Sequence, residues 1–429
     1  MPTEHSTSAM MVGFPDLNAT LRTKSYPADR IGDRPRPTTF SDIVFALDVV
    51  DALIPRPFEY QGWWPDWSQG FGDLLAVPDP STERPVPWWS NSRLMFADLC
   101  HRDGSPVAVA PRQILAGLVA RCAQQGLHVT IGPEIEFFLP DDDQPPGLGA
   151  GKAYAAFPGE LAASVVQQST AWLADAHIDI YSWYVEGGPS QQEITLCPTD
   201  PLTAADHILL TRAALREAAR RHGGRAWFMA KPSAGYGNGL HMHLSLHDKH
   251  GKNLLAGTES GPHPGGTGAA CLAGILNLLP EATALLTPTV NAFKRLAPYT
   301  AAGTTSTWAP DNRGCGIRYI FSGDDSRIEL RAAAGDANPY LAVAATLAGI
   351  LHGIEHPYEL PPPAQDAYRT GTPLPTDLTS ATTLLDSSKA LRLHLGDALI
   401  HHYAATRRWE AAEFAATVTE WELRRYADL

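Results

Sequence analysis

Gly132-Pro133-Glu134-Ile135-Glu136-Phe137-Phe138 is the stretch around which this chain is organised. With Val129 and Ile131 before it, the β-branched and aromatic content reads as a strand. Side chains alternate across a strand, so Glu134 and Glu136 share one face and Ile135 and Phe137 the other. Two carboxylates so close repel each other, and a bare pair titrates upward unless a cation is shared. Taken alone, the pair also suits a solvated edge face. Leu240-His241-Met242-His243-Leu244-Ser245-Leu246 alternates in the same way. Its four apolar residues must form the buried face, so His241, His243 and Ser245 line a cleft or meet water. Neutral imidazole is a good ligand for a divalent metal. Arg327-Ile328-Glu329-Leu330-Arg331 is a third alternating strand, which in isolation could be a surface ladder of ion pairs. Arg313 and Arg318 lie just upstream, and guanidinium groups bind anionic oxygens in a bidentate fashion. Glu186 and Glu193 flank Gly187-Gly188-Pro189-Ser190-Gln191-Gln192, by itself ordinary turn sequence.

Carboxylates for metal and arginines for phosphate together suggest phosphoryl transfer. No Walker A motif and no Gly-x-Gly-x-x-Gly after a strand occurs, so a nucleotide would need another scaffold. At 429 residues the chain suits two domains. Its net charge of −13 argues against a nucleic-acid partner. Five scattered cysteines without CxxC spacing suggest a reducing cytoplasm, with neither a disulfide framework nor a zinc site. The start shows no signal peptide. Ile43 to Ile54 is the best apolar run and is broken by Asp48 and Asp51, so no membrane span is expected. Residues 1–111 read as a small α+β domain. Asp16–Arg22 and Gly72–Asp79 look like strands, Ser41–Ile54 like a short helix capped by Ser41, and Met95–Leu99 with Asp103-Gly104 like a hairpin. A larger domain, 112–429, mixes strands with helices at Glu160–Ala176, Asp200–Arg221, Thr267–Leu286 and Pro339–Ile354, and is helical again from Ser380. Residues 141–152 read as a loop.

The chain resembles the glutamine synthetase superfamily, type I in layout. The three strands carry the likeness, with Lys231-Pro232, Asn291-Ala292-Phe293-Lys294-Arg295-Leu296 and Asn338-Pro339-Tyr340-Leu341, in family order over residues 130–345. The resemblance implies an α+β fold: an N-terminal β-grasp-like domain and a catalytic domain with a curved antiparallel sheet flanked by helices. It implies two or three Mg²⁺ or Mn²⁺ ions in a funnel between subunits. Glu136, Glu186 and Glu193 would hold one, and Glu134, His241 and Glu329 the second. Arg295 and Arg331 would grip the carboxylates of glutamate, with the Gly237 backbone near its amino group. Arg313, Arg318 and Arg327 would sit on phosphates, with His243 and Ser245 near ATP. ATP would phosphorylate the γ-carboxylate, and an amine would displace phosphate. A homo-oligomer, a dodecamer of two hexameric rings, is also implied.

The departures fall on the amine side. Family members that use ammonia carry a glutamate where Ala301 stands, and the segment bearing their ammonium-binding aspartate is absent. Glu59 is the nearest substitute by position, in a region rebuilt with Trp63, Trp64 and Trp67, and Tyr236 replaces an asparagine. The expectation is an organic amine in place of ammonia, with Glu59, Trp64 and Ala301 at its site and the tryptophans offering an apolar or cation–π surface. A glutamine synthetase proper is the alternative. A non-catalytic relative would show eroded ligands, whereas all six ligand positions are kept. Tyr358 sits where some type I enzymes are adenylylated, and a plain surface loop is the preferred reading there.

Overall fold

The computed structural model describes residues 9–27, 36–57, 60–89, 92–140, 146–147, 151–257, 261 and 263–429. The first sheet contains β1 (Ala9–Pro15), β2 (Leu21–Pro27), β3 (Thr38–Ser41), β4 (Asp73–Pro78), β5 (Arg84–Val86) and β6 (Ser92–Cys100). Its order is β2-β1-β6-β4-β3, with β5 also on β6 and with β1 and β6 parallel. Three early expectations are corrected here. Residues 16–20 are the turn between β1 and β2, because the buried Asp16 carboxylate accepts the Asn18 and Thr20 amides at 2.9 Å and closes a loop. Of the expected strand only Leu21 and Arg22 pair, at the start of β2. Ser41 does cap a helical turn, but only a 3-10 turn over Asp42–Phe45. Asp48 then accepts the Val50 and Ala52 amides and turns the chain back, pairing Leu47 with Leu53. β6 starts earlier than the hairpin reading, and its return is a single bridge from Cys100 to Pro106.

Helix α1 (Pro111–Gln124) leads into β7 (Leu127–Phe138), α2 (Glu160–Asp175), β8 (Ile180–Val185), β9 (Gln191–Leu196), α3 (Pro201–Arg221) and β10 (Leu240–Asp248). After α4 (Gly266–Leu286) come β11 (Thr305–Ser306), β12 (Trp308–Pro310), β13 (Ile317–Ile320) and β14 (Arg327–Leu330). The chain ends with α5 (Pro339–Glu355), β15 (Thr372–Pro373), α6 (Leu378–Ser387), α7 (Lys389–Leu395), α8 (Asp397–Ala416) and α9 (Glu420–Tyr426). The second sheet has order β12-β13-β14-β10-β7-β9-β8, antiparallel except for β12 and β13. The fold is α+β, as expected. Sequence caps set the helices: Asp200 accepts the Leu202 and Thr203 amides at 3.1 Å ahead of Pro201, and Asn338 does the same for α5.

Leu240, Met242, Leu244 and Leu246 are all fully buried on the helix-covered side of β10. Behind them, α4 and α5 approach closely through glycines. A Cβ on Gly274 would lie 2.3 Å from the Gly349 carbonyl oxygen. Helix α4, and not Ile43–Ile54, is the longest apolar run; it is long enough to cross a membrane, yet here it is a core helix. We propose a domain division at residue 111, supported by the first sheet lying wholly before it. The two parts are tightly joined: the buried Asn338 side-chain amide donates to the Asp16 and Leu17 carbonyls at 3.0 and 3.1 Å, and Arg407 on α8 reaches Asn18.

Candidate active site

Strand register builds the site. Glu136 pairs with Glu193, Glu134 with His241, His243 with Glu329, and Glu329 with Arg318. Directly opposed residues have their Cβ atoms about 4.5–5.5 Å apart, so the polar faces of five strands merge into one row. Glu186 joins at the turn after β8, its carboxylate accepting the Gly187 amide at 2.8 Å. His241 Nδ1 lies 3.3, 3.7 and 3.8 Å from oxygens of Glu134, Glu136 and Glu329. Among the described residues, three groups bring possible ligand atoms within 4.8 Å of one another: Glu136-Glu186-Glu193, Glu134-Glu193-His241 and Glu134-His243-Glu329. The first is the trio expected for one ion. In the others, His243 and Glu193 share work that sequence assigned to His241 and Glu329.

The electrostatics are those of a crowded anionic cluster. Burial raises the Glu136 carboxyl to about 7, with Arg295 lowering it and Glu186 adding to the rise. Burial and the Glu134 and Glu136 charges push Glu193 far above the carboxylate range. Burial raises Glu186 as well. Burial also opposes ionisation of Glu134, yet hydrogen bonds to His241 and His243 hold it well below its usual value. Burial depresses His241 to about 3, so its ring is neutral near pH 7 and can ligate. Arginines face the row: Arg318 Nη1 donates to Glu329 at 3.2 Å, Arg331 pairs with Glu329, and Arg295 Nη2 lies 3.2 Å from His241 Nε2.

A cleft of about 580 Å³ opens over this row. Its walls include Glu134, Glu136, Glu186, Glu193, His241 and Glu329, with Arg295, Arg313, Arg318, Arg331, Gly237 and Ala301. His243, Ser245 and Arg327 lie outside these walls. His243 instead contacts Glu134 at 2.8 Å and accepts from Arg327 Nε at 3.2 Å. The Ala301 carbonyl accepts from Arg331 Nε at 3.2 Å, leaving only a methyl to project. The expectation for Trp64 is corrected: it is 0% exposed, packed between Tyr60 and His402, and is not among the residues that line this cleft. Glu59 lies outside the described residues. Sequence reasoning missed Tyr184, whose hydroxyl donates to Glu193 at 2.5 Å, and Gln191, whose amide bridges Gly188 N and Gly237 O at 2.9 Å. Tyr184 could have been found, since it stands two residues before Glu186 in the same alternation.

The family model for the glutamine synthetase catalytic domain matches residues 108–426. A glutamate–isopropylamine ligase of a Pseudomonas species is 31% identical, over 99% of this chain and 96% of its own length. A γ-glutamylethanolamide synthetase of Streptomyces coelicolor is 34% identical, over 97% and 92%. The ligand-free structure of GmaS superposes with a TM-score of 0.84 at 30% identity, covering 99% of this chain and 98% of that one. With the catalytic-domain model spanning most of the chain and the ligand row in register, this protein belongs to the glutamine synthetase family.

Proposed function

We propose that the chain is an ATP-dependent ligase that joins the γ-carboxylate of L-glutamate to an organic amine, giving a γ-glutamylamide, ADP and phosphate. The observation that carries this reading is the combination of a complete carboxylate, histidine and arginine set with a loop, residues 299–301, that lines the cleft without a carboxylate. A site for ammonium needs a carboxylate to hold the cation and take its proton, and that loop supplies none. The relatives that join glutamate to isopropylamine or form γ-glutamylethanolamide support the same side.

The family uses ATP and divalent metals, and the donor set suits hard or borderline ions such as Mg²⁺ or Mn²⁺. Glu136, Glu186 and Glu193 would hold one ion, and Glu134, His241 and Glu329 the second, with His243 within reach of that group. When bound, such ions neutralise charge on the transferring phosphoryl group. Arg295 and Arg331 bind glutamate's carboxylates, with the Gly237 backbone near its amino group. Arg313, Arg318 and Arg327 neutralise phosphoryl oxygens, and His243 and Ser245 flank the nucleotide. A γ-carboxylate oxygen takes the γ-phosphoryl of ATP and ADP leaves. The amine nitrogen then attacks the acyl carbon and loses its proton as phosphate departs. This order is required because a carboxylate is a poor electrophile and phosphate a good leaving group. We also read the chain as cytoplasmic, supported by its free cysteines, and as one subunit of a homo-oligomer, a dodecamer by family analogy.

Metal-dependent ADP release with glutamate tests the reading across ammonia and a panel of amines. The best organic amine should exceed ammonia in kcat/KM. Ammonia winning by about tenfold, roughly 1.4 kcal/mol of transition-state preference, would make this a glutamine synthetase proper.

A further inference from the structure

Four tyrosines, Tyr154, Tyr184, Tyr236 and Tyr299, line the cleft above the anionic row. Residues 151–154 run beside the turn at Glu186: Gly151 N–H donates to the Gly187 carbonyl at 2.7 Å and Tyr154 N–H to the Val185 carbonyl at 2.9 Å. A Cβ on Gly151 would stand 2.2 Å from the Gly188 carbonyl oxygen, so this approach needs glycine. Tyr154 is thereby held next to Glu186, its ring 5.1 Å from that of Tyr184. Tyr184 is itself fixed by its hydrogen bond to Glu193. The Tyr236 ring covers Gly187, where a Cβ would lie 2.8 Å from it. Tyr299, on the loop that carries Ala301, packs against Tyr368 with the ring centroids 4.8 Å apart and the planes tilted by 48°. Tyr154 and Tyr299 are 73% and 74% exposed, with ring surface open to the cleft they line.

A second observation is independent of the rings. Tyr154, Tyr299 and Ala301 have φ of +62°, +64° and +56°, a region that non-glycine residues seldom enter. Such strain persists where the surrounding structure over-determines it, and it gathers at ligand clamps.

We propose that Tyr154, Tyr184, Tyr236 and Tyr299 form the amine subsite, and that it takes a primary monoamine with a compact apolar substituent. This rests on the ligase reading above. Ring faces attract an alkylammonium, and the rings, with Ala153 and Ala301, cover its alkyl part. Among the described residues, the carboxylates lining the cleft are Glu134, Glu136, Glu186, Glu193 and Glu329, all in the anionic row. The distant ammonium of a diamine therefore finds no carboxylate partner, and ammonia finds no apolar contact.

The test uses the full-length enzyme with Mg²⁺, ATP and glutamate. Glutamate-dependent positional isotope exchange in bridge-labelled ATP, without amine, reports the acyl-phosphate step. Steady-state kinetics with propylamine, putrescine and ammonia report the subsite in wild type, Tyr154→Ala, Tyr154→Phe and Tyr299→Ala. Propylamine should lead putrescine, and each alanine variant should raise the propylamine KM about tenfold, with the glutamate KM within about twofold of wild type. Tyr154→Phe keeps the ring and should keep the low KM. Exchange together with a putrescine preference, an unmoved propylamine KM in both alanine variants, or a Tyr154→Phe that behaves as alanine overturns the subsite and leaves the ligase standing. Loss of both exchange and amine-dependent ADP release removes the ligase reading, and the subsite falls with it.

Discussion

Metal loading of this cleft should release protons, and the metal-free protein should lose stability as pH rises. Glu136 sits at about 7 in the folded chain against an ordinary glutamate value of 4.5, raised first by burial. A carboxyl raised on folding stabilises the fold fully below its unfolded pKa, and that contribution is lost as pH rises through the folded value. For Glu136 the window runs from 4.5 to about 7, and at 1.36 kcal/mol per pH unit the loss is about 3 kcal/mol. Glu193 is raised further, so it acts with the same sign and extends the decline to higher pH. Taking roughly 2.1 cal/mol/K per residue as the unfolding entropy, the Glu136 part lowers Tm by roughly 3–4 °C. Cations need the ionised carboxylates, so at pH 6.5 loading should expel between about one and two protons. Calorimetric titration with Mn²⁺ in two buffers of different ionisation heat counts them, and Tm of the metal-free protein against pH measures the decline. Glu136→Gln keeps the shape and removes one titrating group, so both signals should shrink. Equal proton release and equal pH dependence in wild type and Glu136→Gln would refute the electrostatic account.

Two further outcomes follow from other charges. Arg295 is buried with its guanidinium between His241 and the Arg331 carbonyl; Arg295→Ala should raise the glutamate KM steeply, by more than about tenfold given the 3–5 kcal/mol typical for losing a buried charge partner, and an unchanged KM sinks its assignment. Arg112→Ala strips the partner from buried Asp206 and should cost about 3–5 kcal/mol in urea unfolding, whereas Arg121→Ala, at a half-exposed pair with Glu355, should cost under about 1 kcal/mol.

The parts of the site legible in sequence are those with a period of two. Glu134 and Glu136, His241 and His243, and Glu329 and Arg331 each declared a shared face, and antiparallel pairing then set the faces side by side. Helices with strong caps were equally legible, as at Asp200-Pro201 and Asn338-Pro339. What sequence could not show was tertiary. Trp64 looked like a surface for an amine, but an indole also suits a core, and packing against Tyr60 and His402 decided for the core. Ser41–Ile54 carried helical spacing, but Asp48 offered its carboxylate to two backbone amides and turned the chain instead. Tyr154 and Tyr299 were invisible because their placement depends on left-handed loop residues, which have no sequence period.

That contrast bears on how the family varies. The side chains of the anionic row sit on hydrogen-bonded strands or, for Glu186, at the turn joining two of them, and register fixes which of them stand side by side. Phosphoryl transfer needs such fixed charge placement, because its catalysis is almost wholly positioning and electrostatics. The proposed amine half lies on the connections at 151–154, 235–237 and 299–301, which are tied to the strands by few bonds: the Tyr154 amide to the Val185 carbonyl, and the Gln191 and Arg331 side chains to the Gly237 and Ala301 carbonyls. Substitution there alters the shape and charge offered to the amine without shifting a strand. Glutamate at position 301 would restore a carboxylate, while alanine leaves volume, yet Arg331 holds the backbone carbonyl of that residue and not its side chain. The anchor of the loop is therefore independent of what the loop presents, and one phosphoryl-transfer scaffold can serve different amines.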